Sequence, residues 1–166
     1  MIKNFLRIFV SAAIFTGSNL TIHQALAVEN MKNNIKPVET NMHTLQAMVE
    51  THGVDWKGLY PNNLIELKGQ ASIKDSKYWK SLINPFTQKK DIGESMIDIK
   101  IYNNSKNNHE SLKGSVIYQP LDCQENKTEK RSLCKNYKIY GLDEDGNVIQ
   151  DKNEDFYLRI TKKITW

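Results

Sequence analysis

"NMHTLQAMVETHGVDWKGLYPNNLIEL", residues 41–67, holds a helix, a turn and the start of a second helix. Met42, Leu45, Met48, Val49 and His52 recur at spacings of three and four, so on an α-helix they form one stripe, while His43, Gln46 and Glu50 fall on other faces. Gly53 is the expected stop or distortion of that helix, and "VDWKGLYP" then turns the chain so that Val54, Trp56, Leu59 and Tyr60 fold back onto the core. Asn62 or Asn63 caps a short helix carrying Leu64, Ile65 and Leu67, with Glu66 three residues after Asn63 in the capping-box position.

Upstream of this stretch, residues 28–40 are polar and Pro37 is expected to interrupt any early helix, which makes them a lead segment with order beginning near Asn41. The first 27 residues have the layout of a secretory signal peptide. Lys3 and Arg7 supply the positive start, Ile8 to Phe15 the apolar run, and Ala25-Leu26-Ala27 the small-residue cleavage site. The alternative is an uncleaved anchor, but a bilayer span needs about 20 predominantly apolar residues, and Thr16, Ser18, Asn19, Thr21, His23 and Gln24 interrupt this run. Residues 41–166 are then one globular domain, exported to the periplasm or beyond the cell.

Downstream, "YWKSLINPF" places Tyr78, Trp79, Leu82, Ile83 and Phe86 around an Asn84-Pro85 turn. The period then changes from helical spacing to alternation. "IDIKI" (97–101), "SVIY" (115–118), "YKIYGL" (137–142) and "DFYLRI" (155–160) read as four short strands, separated by "NNSKNNHES", a cysteine loop and "DEDGN". A helix followed by an antiparallel meander is α+β by element order.

Charge and cysteine content narrow the function classes. The formal net charge is +4, and loss of Lys3 and Arg7 with the signal peptide leaves 21 basic against 19 acidic residues. So balanced a surface, with lysines scattered rather than interleaved with aromatics, argues against nucleic acid as a partner. Cys123 and Cys134, the only cysteines, close a loop of 12 residues with both ends included, and in an oxidising compartment they should form a disulfide. A thiol nucleophile or a metal pair is the competing assignment, against which stand the absence of Cys-x-x-Cys spacing and the distance to His109, 14 residues before Cys123.

The ordered set "LQAMVETHGVDWKGLYP", "YWKSLINPF", "GSVIYQP" and "YKIYGLDEDGNVI" resembles the globular part of the type II secretion major pseudopilin and its type IV pilin-like relatives, over roughly residues 41–160. The resemblance implies a pilin-like fold, one amphipathic N-terminal helix packed on an antiparallel sheet of about four short strands. Family subunits enter through a prepilin leader, with a Gly at the cut, a Phe-Thr-Leu-Ile-Glu-like start and then about 20 apolar residues that anchor and polymerise the subunit. Here Gly17 is followed by "SNLTIHQ", without an acidic residue at the fifth position. The expectation is therefore a signal peptide in place of that helix, and a mature chain that is monomeric, does not stay in the membrane and does not polymerise.

The resemblance also implies calcium in the C-terminal loop region. Asp143, Asp145, Asn147, Asp151 and Glu154 stand at positions 1, 3, 5, 9 and 12 of "DEDGNVIQDKNE", the ligand positions of an EF-hand-type loop. Position 6, which calls for Gly, is Val148, and the alternative is a plain β-hairpin turning at Asp145-Gly146 without an ion or other cofactor. His43 and His52, nine residues apart on one helix, point about 180° from each other and make no shared site. The expected function is that of a non-enzymatic module binding an envelope or secretion protein through a sheet edge or the polar loops near 103–111 and 124–133. A small exported hydrolase without a recognisable motif is the alternative, and a His, Asp and Ser cluster in one cleft would mark it.

Overall fold

A computed structural model describes residues 35–73, 77–105, 108–126, 131–152 and 154–159. The signal peptide assigned to 1–27, the first part of the lead segment, residues 127–130 of the cysteine loop and Ile160 lie outside the described residues.

Helix α1 occupies residues 35–55. The stripe expected from its spacing is buried throughout: Met42, Leu45, Val49 and His52 are fully covered and Met48 nearly so. Order does not wait for Asn41. The chain is already helical at 35, Val38 is fully buried and Ile35 packs against the same core. Pro37 is compatible with this because its fixed φ suits a helix.

Gly53 is not the stop. The helix runs through it to 55 and closes at Gly58, whose N–H donates to the Gly53 carbonyl at 2.7 Å with φ at +82°, the six-to-one closure of a Schellman motif. Gly53 serves another purpose. A Cβ there would lie 2.7 Å from Tyr60 Cε1, so the missing side chain is what lets the Tyr60 ring approach. Tyr60 does fold back, whereas Val54, expected to join it, points to solvent at 77% exposure.

Strand β1 (Tyr60–Pro61) leads into α2 (Leu64–Ala71). Asn63 is the cap: its side chain accepts the Glu66 N–H at 2.8 Å, while Glu66 Oε2 accepts the Asn62 N–H at 3.0 Å and Asp98 Oδ1 takes the Leu64 N–H at 3.0 Å. Three donors near the start of the helix are thereby satisfied. In the following segment Asn84, 1% exposed, bonds with all of its side-chain polar atoms, donating to Glu94 O and Lys113 O and accepting from the N–H groups of Phe86 and Thr87. That network ties the Asn-Pro turn to two distant loops.

The sheet is mixed rather than antiparallel. Its order is β1, β4 (Arg131–Gly141), β3 (Val116–Asn126) and β2 (Met96–Asp98), with β7 (Tyr157–Arg159) also pairing β4. Strand β2 (Met96–Asp98) runs parallel to β3 (Val116–Asn126) over three residues, and the chain between them passes through α3 (Ile99–Asn104) and a 3-10 turn at His109–Leu112. The expected strand 97–101 is thus half strand and half helix. Ile97 is fully buried and Ile101 is 39% exposed, a difference that continued alternation on one face would not produce. Strands β3 and β4 (Arg131–Gly141) form a long antiparallel hairpin that includes most of the supposed cysteine loop, with Cys123 opposite Cys134. Strands β5 (Gln150–Asp151) and β6 (Glu154–Asp155) pair with each other, so the last strand, β7 at Tyr157–Arg159, begins later than expected.

Side chains divide between the two faces of the sheet by strand alternation. Val116, Tyr118, Tyr137 and Ile139 join the core beneath α1, together with Leu64 and Leu67 of α2. Ile97, Ile117 and Leu142 form a second, smaller cluster, against which Ile99, Tyr102, Leu112 and Val148 pack.

Candidate functional site

Cys123 and Cys134 are joined in a disulfide across the hairpin. Among the described residues no helix is long and apolar enough to cross a membrane.

The candidate calcium residues fall in two local elements, Asp143, Asp145 and Asn147 in one turn and Asp151 and Glu154 in a strand pair. Asp143 Oδ1 accepts the N–H groups of Asp145 and Asn147 at 3.0 and 2.9 Å, and Asp143 N–H donates to Asn147 O at 2.9 Å, closing a turn with an antiparallel bridge between Leu142 and Val148. Gly146, at φ +80°, lies so close to His109 O that a Cβ would overlap it. Asp151 and Glu154 belong instead to the β5–β6 pair. No three Asp, Glu, His or Cys side chains among the described residues are grouped to hold a metal. The three described histidines lie in separate settings. His43 is exposed, His52 is buried and stacked on Trp56 with ring centroids 5.6 Å apart, and His109 stacks on Tyr102 at 4.4 Å.

Titratable groups under α1 serve packing. Glu50 accepts hydrogen bonds from the hydroxyls of Tyr60, at 3.3 Å, and Tyr137. Burial, then the Glu50 charge, pushes the Tyr60 phenol up to about 12. Burial likewise raises Tyr137 and Tyr118, and the Tyr118 hydroxyl donates to Pro61 O at 2.7 Å. These hydroxyls are donors that tie α1 to β1 and β4 through Glu50, and β1 to β3 through Pro61 O.

The free part of the β3 edge is poorly suited to a partner strand. Val116 N–H donates to Ser95 O at 2.9 Å, which marks the edge facing β2, and by alternation Tyr118 and Pro120 face the same way. Strand β2 covers that edge only as far as Tyr118; beyond it Pro120 has no N–H to offer and Asp122 departs from strand geometry at φ +54°. A proline and a local kink are standard protections of a free edge.

A better candidate lies where the start of α2 meets the β2–α3 junction. Two depressions sit side by side there and share Asn62 and Asn63. One, of about 260 Å³, is lined further by Asp98, Ile99, Lys100, Ile101 and Pro120. The other, wider and shallower at about 470 Å³, is lined by Ile65, Glu66, Gly69, Gln70 and Ser132. Ile65 is 72% exposed and Ile101 39%. Burial raises the Asp98 carboxyl above its ordinary range, against the opposing pull of the Leu64 N–H and the Lys100 charge.

Sequence patterns missed this surface because its parts are some 35 residues apart and meet only in the fold. One local signal existed. The buried stripe of α2 is Leu64, Leu67 and Ala71, and Ile65 lies off it. No known protein family, curated protein or solved structure matches the chain.

Proposed function

We propose that the protein is an exported, non-enzymatic module with a pseudopilin-like fold, which works by binding a protein partner in the bacterial envelope or a secretion system. The observation that carries the binding assignment is the pair of depressions rimmed by the exposed Ile65 and Ile101. Isolated exposed apolar residues are ordinary, but apolar residues beside concave, partly polar surface are the usual make-up of an interaction site. The Cys123–Cys134 disulfide is compatible with an oxidising, extracytoplasmic compartment and so supports export. The pseudopilin-like assignment rests on the sequence resemblance and is supported by a long amphipathic helix lying on a sheet built around a hairpin.

The test is mild crosslinking in the native host followed by co-purification, comparing the wild-type chain with the Ile65→Ser/Ile101→Ser double variant. A protein captured by the wild type and lost from the double variant is the expected result. Equal capture by both, or none by either, would refute this account of the surface.

A further inference from the structure

We infer that the smaller depression receives a lysine or arginine side chain of the partner, its alkyl stem lying on Ile99, Ile101 and Pro120 and its cationic head meeting Asp98. This rests on the protein-binding function proposed above. At about 260 Å³ the depression lies below the roughly 300–1,000 Å³ of sites that enclose whole small molecules, and its size suits a single long side chain. Its chemistry is that of an amphipathic occupant, with apolar walls along the length and a carboxylate at one place.

Asp98 is committed through one oxygen only. Oδ1 accepts the Leu64 N–H at 3.0 Å, and Oδ2 accepts no hydrogen bond among the described residues. Lys100 lines the same depression and is near enough to act on the carboxylate electrostatically, yet it forms no ion pair with it. A partly buried carboxylate whose lysine neighbour stops short of an ion pair leaves its second oxygen for a cation brought by another molecule, and a charge-assisted bond there would replace water already partly removed. The second depression extends the match. Glu66 lines it and Ile65 rims it, so an extended segment crossing Asn62 and Asn63 would meet a carboxylate and an exposed isoleucine on either side.

The probes are N-acetyl-lysine methylamide and N-acetyl-arginine methylamide, with N-acetyl-norleucine methylamide as the uncharged control, titrated into the ¹⁵N-labelled mature chain. Saturable shifts are expected at the backbone amides of Asn62, Asn63, Ile99 and Ile101 with at least one cationic probe, at least fivefold tighter than with the norleucine probe. Asp98→Asn should weaken the cationic probe at least fivefold while leaving the fold intact, because an asparagine Oδ1 can still accept the Leu64 N–H. Equal affinity for the uncharged probe, no saturable shift, or no effect of Asp98→Asn would overturn the inference. The two proposals fail separately. A crosslinked partner captured equally well by wild type and Asp98→Asn sinks the cation site and spares the binding function, whereas probe binding that depends on Asp98, without any captured partner, does the reverse.

Discussion

The two faces of the sheet are covered very differently. On the α1 side, sixteen buried residues form one cluster that runs from Val38 to Ile149 and takes in Tyr60, Leu64, Tyr118 and Tyr137. On the other side the buried cluster among the described residues holds just Ile97, Ile117 and Leu142, ringed by half-exposed Ile99, Tyr102, Leu112, Tyr140 and Val148 under a six-residue helix and a turn. Stability is thus concentrated under α1, because the area removed from water there is far larger. The candidate binding surface bridges the two regions. Leu64 and Leu67 of α2 belong to the large cluster and Ile99 of α3 packs on the small one, so Ile65 and Ile101 can project outward without either core depending on them.

If that contrast is right, the largest effect should come from Leu45→Ala. Leu45 is fully buried in the large cluster, and the loss should be about 3–5 kcal/mol in urea unfolding. Leu142→Ala, equally buried but among neighbours that can relax into the gap, should cost nearer 2 kcal/mol. A reversed order would break the comparison. Cys123→Ser/Cys134→Ser should fall between the two, at about 2–4 kcal/mol by the same measurement.

Alkaline pH sharpens the contrast. Tyr60, Tyr118 and Tyr137 all lie under α1, and burial raises each, Tyr60 to about 12. Folded-state values above the unfolded one mean that the unfolded chain releases its protons first. The contribution is therefore intact below about pH 10 and is lost as pH rises towards the folded values. Melting temperature should fall steeply above pH 10, and Tyr60→Phe should make the fall shallower; an unchanged slope would contradict the role given to that hydroxyl.

The α1 region was also the more legible one in the sequence. Five residues at helical spacing, Met42 to His52, are enough to define a face, and Asn63 with Glu66 marks a helix start by side-chain chemistry alone. The strand segments at 115–118 and 137–142 alternate because one of their faces lies under α1. The other region was not legible for physical reasons. Nothing local announces that β2 pairs parallel to β3, since the partners are brought together by a crossover. The sequence Ile97-Asp98-Ile99-Lys100-Ile101 fits either period, and tertiary packing decides that it switches from strand to helix after Asp98. The distal hairpin, Leu121 to Asn126 against Arg131 to Asn136, is mostly polar in sequence, so it gives no alternation, although its backbone pairs. The EF-hand-like spacing of Asp143 to Glu154 is a pattern of positions, and spacing does not disclose that Asp143 accepts hydrogen bonds from its own backbone neighbours Asp145 and Asn147.

The smallest expected effect on stability belongs to the binding surface, and there the account is most exposed. Ile65→Ser/Ile101→Ser should change unfolding free energy by less than about 1 kcal/mol, as befits exposed positions. The most direct measurement is site-specific photocrosslinking in the native host, with a photoreactive side chain in place of Ile65, Ile101 or, as control, the exposed Thr51 on α1. A discrete crosslinked protein species from positions 65 and 101 and none from 51 is the expected result. The same species from all three positions, or only from Thr51, would contradict the assignment of partner binding to the α2–α3 surface.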